Sequence, residues 1–374
     1  MTDPVRFDGK RIWVVAKGYR PEEGGMQTYA EGVAEAYAAL GAAVTVFTQT
    51  SAGPRKVAEG SVRLVDIGPG KGPGIPFRFL RAMKRERHSN GAPTFTHGTT
   101  WRTSVIPMIL GLPYITTFHG REFMYARGPM LALMRKVAKR ALGSVAVSQY
   151  TAERLVERLG QGTPRPVVAW NGLSLWMAGF RSAKSPADIP AILTLCRLEP
   201  RKNILACIQA CALIHAEGLA FRYIIAGRGP DLEEARQLVR TYGLEQVIEV
   251  AGFVNSDRAV QLYDDADIFL HPQTTADGGR DFEGFGIAIA DAMAAGAAVV
   301  VGQEGGAQEL LEHGISGLVV AGSETSSIAA ALRRLLIHEN FRRELADVGQ
   351  RRAQSLFTWL RHVQSIDEVF NKKH

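Results

Sequence analysis

Short apolar runs alternate with amphipathic stretches along nearly the whole chain. Residues 11–16 (Arg-Ile-Trp-Val-Val-Ala) have the length and apolar content of a buried strand. Residues 28–40 repeat apolar positions at helical spacing and stop at Gly41, a C-terminal cap signal. Residues 44–48 read as the next strand. Strand, helix and strand in this order make a βαβ unit, whose right-handed crossover demands a parallel sheet. The alternation continues with strands predicted at 62–67, 94–96, 114–117, 144–147 and 167–169, and helices at 77–87, 129–142 and 150–159.

Residues 174–190 break the pattern. Gly179, Ser182, Ser185, Pro186 and Pro190 cluster there, so the stretch reads as a linker. A second alternation follows, with strands at 192–196, 222–226, 248–251, 268–271 and 298–301. Helices fall at 204–217, 232–242, 256–264, 287–294 and 326–337. The expected fold is α/β: two Rossmann-like doubly wound domains, residues 1–180 and 181–356. A chain of 374 residues is long enough for two cores. In such sheets ligands bind beyond the carboxyl ends of the strands, so chemistry is sought in the strand-to-helix loops.

Composition removes several classes. Apolar residues make up 46% and charged residues 22%, the balance of a soluble globular protein rather than a disordered or fibrous one. No apolar run approaches the roughly 20 residues that span a bilayer. Residues 1–10 lack the apolar core of a secretory signal. The three cysteines, Cys196, Cys207 and Cys211, are odd in number and form no CxxC pair. Neither a disulfide framework nor a zinc site is expected, and a cytoplasmic location fits. The net charge of +7 is uneven: residues 1–180 hold 24 basic and 12 acidic side chains, residues 181–374 hold 20 and 25. The first half therefore carries +12, which points to an anionic partner or to a merely solvated basic surface.

Five loops carry candidate chemistry. The first, residues 17–25, ends in Gly24-Gly25, whose missing Cβ atoms let backbone amides approach a phosphate at a helix start. The second is Phe118-His119-Gly120, an imidazole at a strand end. His97-Gly98 is a weaker version of it, and His271 before Pro272 reads as structural. The third, Arg197-Leu-Glu-Pro-Arg-Lys202-Asn203, sets two cations beside a helix start, suited to a diphosphate. The fourth is Glu283-Gly284-Phe285-Gly286, followed by Asp291. The two carboxylates are eight residues apart, roughly one side of a continuous helix, and a carboxylate can accept from two sugar hydroxyls. The fifth is Gly305-Gly306-Ala-Gln-Glu309. Asp265-Ala-Asp267 lies at the amino end of a strand, the wrong end for a ligand, so no metal site is expected.

These loops, in this order, resemble the retaining GT-B glycosyltransferases of family 4. That group contains phosphatidylinositol mannosyltransferases and many polysaccharide and lipopolysaccharide transferases. Val147-Ser148, Asn171-Gly172, Ala226-Gly-Arg-Gly-Pro230, Ala251-Gly-Phe-Val254 and residues 266–272 strengthen the resemblance, which covers essentially the whole chain. It implies two domains facing a cleft, with a last helix at 357–370 crossing back to the first domain. The first domain would bind the acceptor and the second the donor. Gly24 and Gly25 would contact the diphosphate, and Arg197 and Lys202 would neutralise it. Glu283 and the amides of Gly284, Phe285 and Gly286 would hold the donor sugar. Asp291 would bind the ribose, Phe253 and Val254 would lie near the base, and His119 would bond the donor sugar. One departure stands out: the family pattern has Glu where this chain has Asp291, one methylene shorter.

The implied reaction moves a hexose from GDP-mannose or a UDP-hexose to a hydroxyl of a glycan or lipid-linked acceptor, with retention. No cofactor or metal is expected beyond the nucleotide-diphosphate sugar itself. Residues 77–87 and 129–142 mix apolar and basic positions at helical spacing. Such helices lie on an anionic membrane surface, or else bury their apolar side and solvate the rest. On the first reading the protein is peripheral at the cytoplasmic face of the inner membrane. Nucleic acid is not an expected partner, since no helix-turn-helix, RNP or zinc-finger pattern occurs. The alternative function on the same architecture is a nucleotide-sugar epimerase.

Overall fold

In a computed structural model the chain divides into two compact units, residues 1–175 with 358–374, and residues 176–357. The structure describes residues 7–371 apart from 23, 73, 161, 178 and 181–188. The middle of the expected linker, with Ser182, Ser185 and Pro186, lies outside the described residues.

The first unit is built on β1 (Arg11–Val15), β2 (Ala43–Thr48), β3 (Arg55–Glu59), β4 (Val62–Asp66), β5 (Phe95–Gly98), β6 (Tyr114–Phe118), β7 (Gly143–Ala146) and β8 (Val167–Val168). They form one sheet in the order β3-β4-β2-β1-β5-β6-β7-β8. Only β3 runs antiparallel, as a hairpin partner of β4. The connecting helices are α1 (Gly25–Ala39), α2 (Gly74–Asn90), α3 (Val105–Ile109), α4 (Arg121–Met124), α5 (Gly128–Arg140) and α6 (Gln149–Leu159). Trp13, Val15, Phe47 and Val65 form one apolar face, packed with Phe79 and Met83 of α2 and Ile106 of α3. Val14 stands opposite His97 in register, so His97 is on the other face of the pleat.

The second unit has β9 (Ala191–Leu195), β10 (Arg222–Ala226), β11 (Ile248–Gly252), β12 (Ile268–His271), β13 (Ala298–Gly302) and β14 (Leu318–Val320). All six run parallel in the order β11-β10-β9-β12-β13-β14. This is the doubly wound order 3-2-1-4-5-6, whose switch point falls between β9 and β12. Its helices are α7 (Ile204–Ala216), α8 (Leu232–Thr241), α9 (Ser256–Asp265), α10 (Ile287–Ala295), α11 (Thr325–Ile337) and α12 (Glu339–Leu356). Ile192, Ile225, Ile268 and Val300 meet Ile208 and Cys211 of α7 and Leu332 of α11 in a continuous core.

The last helix, α13 (Trp359–Asn371), belongs to the first unit and packs on α1. Trp359 is buried and its indole N–H donates to the Leu173 carbonyl at 2.7 Å. No helix among the described residues is long and apolar enough to cross a membrane. Replacing Trp359 by Ala removes a large buried ring and orphans that carbonyl. The expected cost is about 3–5 kcal/mol, read as a lower urea midpoint for the first unit at unchanged m. An unchanged midpoint would mean that α13 adds nothing to that unit.

Candidate active site

Because the six strands of the second unit are parallel, the loops after β9, β10, β11, β12 and β13 all leave the same edge of its sheet. Arg197 follows β9, Arg228 follows β10, Phe253 follows β11, His271 ends β12 and Gly305-Gly306 follow β13. At the centre the Lys202 ammonium donates to a Glu283 carboxylate oxygen. The same ammonium lies 3.3 Å from His271 Nε2. The same Nε2 is 3.8 Å from that Glu283 oxygen, and His271 Nδ1 is buried with no hydrogen-bond partner among the described residues. Burial, then the neighbouring Lys202 charge, lowers the His271 pKa to about 4, so the ring is neutral. Burial alone would raise the Glu283 pKa, but Lys202, the His271 bond and Arg201 together hold it well below the usual carboxylate range.

Arg201 is buried and pairs with Glu199 and, at 3.6 Å, with Asp281. Arg197 is different: its side chain is 68% exposed and its partner is Glu199 at 2.8 Å. Three cations and three carboxylates thus alternate along the edge. Of these three cations Arg197 is open to solvent, and the other two are held in buried pairs. Burial also pushes the nearby Cys196 thiol up to about 11, which removes it as a thiolate nucleophile at neutral pH.

The glycine-rich loops give the carboxylate its place. Gly306 N–H donates to the Glu283 carbonyl at 2.8 Å. Gly305 has φ +85°, and a Cβ there would stand 2.7 Å from that same carbonyl. Glu283 itself precedes α10, which begins at Ile287 after Gly286 in the left-handed conformation. The eight-residue spacing to Asp291 is therefore not a helical phase relation. The chain turns between them, Glu283 facing Lys202 while Asp291 lies buried within α10 near Tyr263. Gly284 and Phe285 are buried, with Phe285 edge-on to Phe357 at 5.5 Å. Phe253 is 52% exposed, and the Arg228 guanidinium lies 3.8 Å from its ring centre. Val254 beside it is partly exposed.

The stretch 273–282 is a small bridged turn, Ala276 pairing with Asp281. Gln273 exchanges bonds with Gly302, and Thr275 donates from both N–H and Oγ1 to Glu304. Thr274 N–H donates to the Arg201 carbonyl at 2.9 Å. Sequence reasoning gave no role to Arg201 and Asp281 and read His271 as structural. The signal for His271 is its place at the end of β12, which borders the switch point. Asp267 accepts from the Ala191 N–H at 2.7 Å, a structural task at the amino edge.

In the first unit Gly24 is the N-cap of α1 with φ +143°, and its carbonyl accepts from Thr28 N–H at 2.9 Å. A Cβ there would approach Gln27 Oε1 to 2.8 Å. The amide of Gly25 opens the first turn, which carries no acidic residue. His119 ends the β6 loop. Its N–H donates to Glu122 at 2.6 Å and its Nε2 lies 2.8 Å from the Thr99 carbonyl. A carbonyl only accepts, so Nε2 carries the proton. Burial lowers the ring's pKa, which leaves Nδ1 as a free lone pair.

The sequence matches two family profiles, Glycosyltransferase Family 4 over residues 23–194 and Glycosyl transferases group 1 over residues 180–352. The chain belongs to the family 4 glycosyltransferases. The putative colanic acid biosynthesis glycosyltransferase WcaL of Salmonella typhimurium is 38% identical over 173 residues, 46% of this chain and 42% of that protein. This chain thus aligns with about two fifths of that relative's length. The GDP-mannose-dependent alpha-(1-6)-phosphatidylinositol monomannoside mannosyltransferase of Mycobacterium tuberculosis is 25% identical over 93% of this chain and 95% of its own. Anabaena HepE in complex with UDP and glucose has the same fold, with a TM-score of 0.72 at 20% identity over 97% and 99% of the chains. This is the two-domain GT-B fold, with a mainly parallel sheet in each unit.

Lys202→Met leaves the buried Glu283 carboxylate without its main cation. The expected loss is about 3–5 kcal/mol at neutral pH. In the parent, the depressed Glu283 pKa adds stability above the ordinary carboxylate range, lost as pH falls through the folded value. In the variant burial dominates and the sign reverses, so its deficit should shrink from about pH 7 to about pH 5. Urea midpoints at both pH values check this; a deficit that grows on acidification would refute the assignment.

Proposed function

We propose that this glycosyltransferase moves a hexose from GDP-mannose or a UDP-hexose to a hydroxyl of a glycan or lipid-linked acceptor, with retention and without a metal. The reaction would serve cell-envelope or exopolysaccharide synthesis. The observation that carries this reading is the Lys202–Glu283–His271 cluster with Arg201 and Arg197 at the carboxyl edge of a doubly wound sheet. The colanic acid and phosphatidylinositol mannoside relatives support the substrate class. Family membership favours transfer over the epimerase alternative.

In this reading the acceptor oxygen attacks the anomeric carbon while the bond from that carbon to the phosphate oxygen breaks. The leaving diphosphate takes the acceptor's proton from the same face. Stabilising its charge is the main catalytic task. Arg197 and Lys202 supply that charge, with the amides of Gly24 and Gly25 adding donors. Glu283 accepts from donor-sugar hydroxyls, and the backbone amides of Gly284, Phe285 and Gly286 donate to the sugar. Phe253 and Val254 flank the base, Asp291 takes the ribose, and the His119 Nδ1 lone pair meets a sugar hydroxyl.

The membrane part of the proposal rests on α2 and α5. Exposed Phe77, Arg81, Lys84, Arg85 and His88 share one side of α2, and Met130, Arg135, Lys136, Lys139 and Arg140 are exposed on α5. The lone carboxylate of these two helices, Glu86, is buried against Arg63 and Lys56. The exposed faces are therefore cationic with apolar tips, suited to an anionic leaflet.

A thermal-shift panel of GDP-mannose, UDP-glucose, UDP-GlcNAc and UDP-galactose should show one preferred donor. Nucleoside diphosphate release from that donor should persist in EDTA and fall about 10²–10³-fold in His119→Ala. Loss in EDTA restored by Mn²⁺ would end the metal-free proposal. The full chain should float with vesicles rich in anionic lipid, and Arg81→Glu/Lys84→Glu should reduce that binding; no flotation at low salt would remove the membrane partner.

A further inference from the structure

The pleat face opposite Trp13 holds a buried cluster that the transfer chemistry does not use. Tyr29 Oη lies 3.0 Å from His362 Nε2, 2.8 Å from Thr117 Oγ1 and 3.3 Å from His97 Nε2. His97 Nε2 is 2.8 Å from Thr117 Oγ1, and its Nδ1 is 3.2 Å from Tyr37 Oη. His362 Nδ1 is 3.0 Å from the Trp170 carbonyl. Every side chain in this set is buried.

The proton positions follow from that last contact. The Trp170 carbonyl can only accept, so His362 carries its proton on Nδ1. Burial, first of all, lowers the His362 pKa to about 4, which leaves Nε2 bare. Tyr29 must then donate to His362. Its oxygen accepts from Thr117, Thr117 accepts from His97 Nε2–H, and His97 Nδ1 accepts from Tyr37. One direction satisfies every member: Tyr37 to His97 to Thr117 to Tyr29 to His362 to the Trp170 carbonyl. Reversing any link leaves a buried donor without an acceptor, which costs more than the bond itself contributes.

The output of this chain is the ring of Tyr29. It stands edge to face against His119, with centroids 4.6 Å apart at 89°. We propose that Tyr29 and His362 are positioning residues for His119: α13, through a one-way hydrogen-bond chain, fixes the Tyr29 ring and with it the direction of the His119 Nδ1 lone pair. The chain crosses from α1 through β5 and β6 to the C-terminal helix, all within the first unit. The assignment rests on the reading of His119 as a sugar-binding group, and its effect on rate follows only if that reading holds.

The test uses the full chain and ring-nitrogen NMR of its histidines, which needs no ligand. His119 should give one Nε2–H tautomer in the parent. In His362→Leu and in Tyr29→Phe its signals should shift and broaden as a second ring state appears, while the thermal midpoint reports that the variant is folded. Unmoved His119 signals in the folded variants overturn the proposal. If His362→Leu does not fold, the Thr117 pair decides in its place. Thr117→Val should disturb the same signals, and Thr117→Ser, which keeps the hydroxyl, should restore most of what Val loses; equal effects of the two would overturn it. For nucleoside diphosphate release, each chain-breaking variant should lower kcat about 10-fold with donor KM nearly unchanged, and the double variant should be no worse than the poorer single. Additive losses would refute a shared chain. A fully active His119→Ala would instead sink the catalytic reading of His119 and leave the NMR result standing.

Discussion

A carboxylate taken out of water must keep a cation beside it, and Glu283 keeps Lys202. That requirement ties the loop after β9 to the segment before α10. The Glu283 carbonyl, held by Gly306 N–H, brings in the loop after β13. The bond from Thr274 to the Arg201 carbonyl adds the segment after β12. Three connections that share little in sequence, after β9, β12 and β13, thus converge on one ion pair. Losing either partner would disturb all of them, because a buried charge has no solvent to fall back on.

The same pair explains why the edge holds so many charges without an open anion hole. Arg201 answers Glu199 and Asp281, and Lys202 answers Glu283 with the neutral His271 ring beside the pair. Of these three cations Arg197 is the one that extends into solvent, and an exposed pair such as Arg197–Glu199 is worth little. A ligand phosphate can therefore recruit Arg197 cheaply, while the buried cations act by field rather than by exchange of partners. The net negative charge of residues 181–374 is no obstacle, since the local field, not the sum, decides where an anion sits.

Much of this was legible in the sequence, and the parts that were not share a physical reason. Strands such as β10 and β12 coincide with their apolar runs because a parallel strand buried on both faces needs uninterrupted apolar residues. The hairpin strand β3, Arg-Lys-Val-Ala-Glu, was missed because an edge strand can be polar. Helix α12 was missed because it buries a stripe of few residues, Leu345, Ala346, Gly349 and Ala353, plus Arg342. The carboxylate spacing 283–291 suggested one helix face, but Gly286 in the left-handed region starts the helix after Glu283. His271 looked structural because nothing local shows that residue 202, sixty-nine positions earlier, will stand beside it.

The two units hold their candidate groups in opposite ways. In the second unit position comes from charge, in pairs whose strength depends on burial. In the first unit it comes from neutral groups, with His97, His119 and His362 all kept uncharged by burial. The division suits transfer. Charge develops on the leaving diphosphate, where cations are needed. In the proposed reaction a sugar hydroxyl next to His119 would call for a lone pair that stays unprotonated. A cationic imidazole there would offer two N–H donors and no acceptor, so on that reading the burial that depresses its pKa would be part of the group's task.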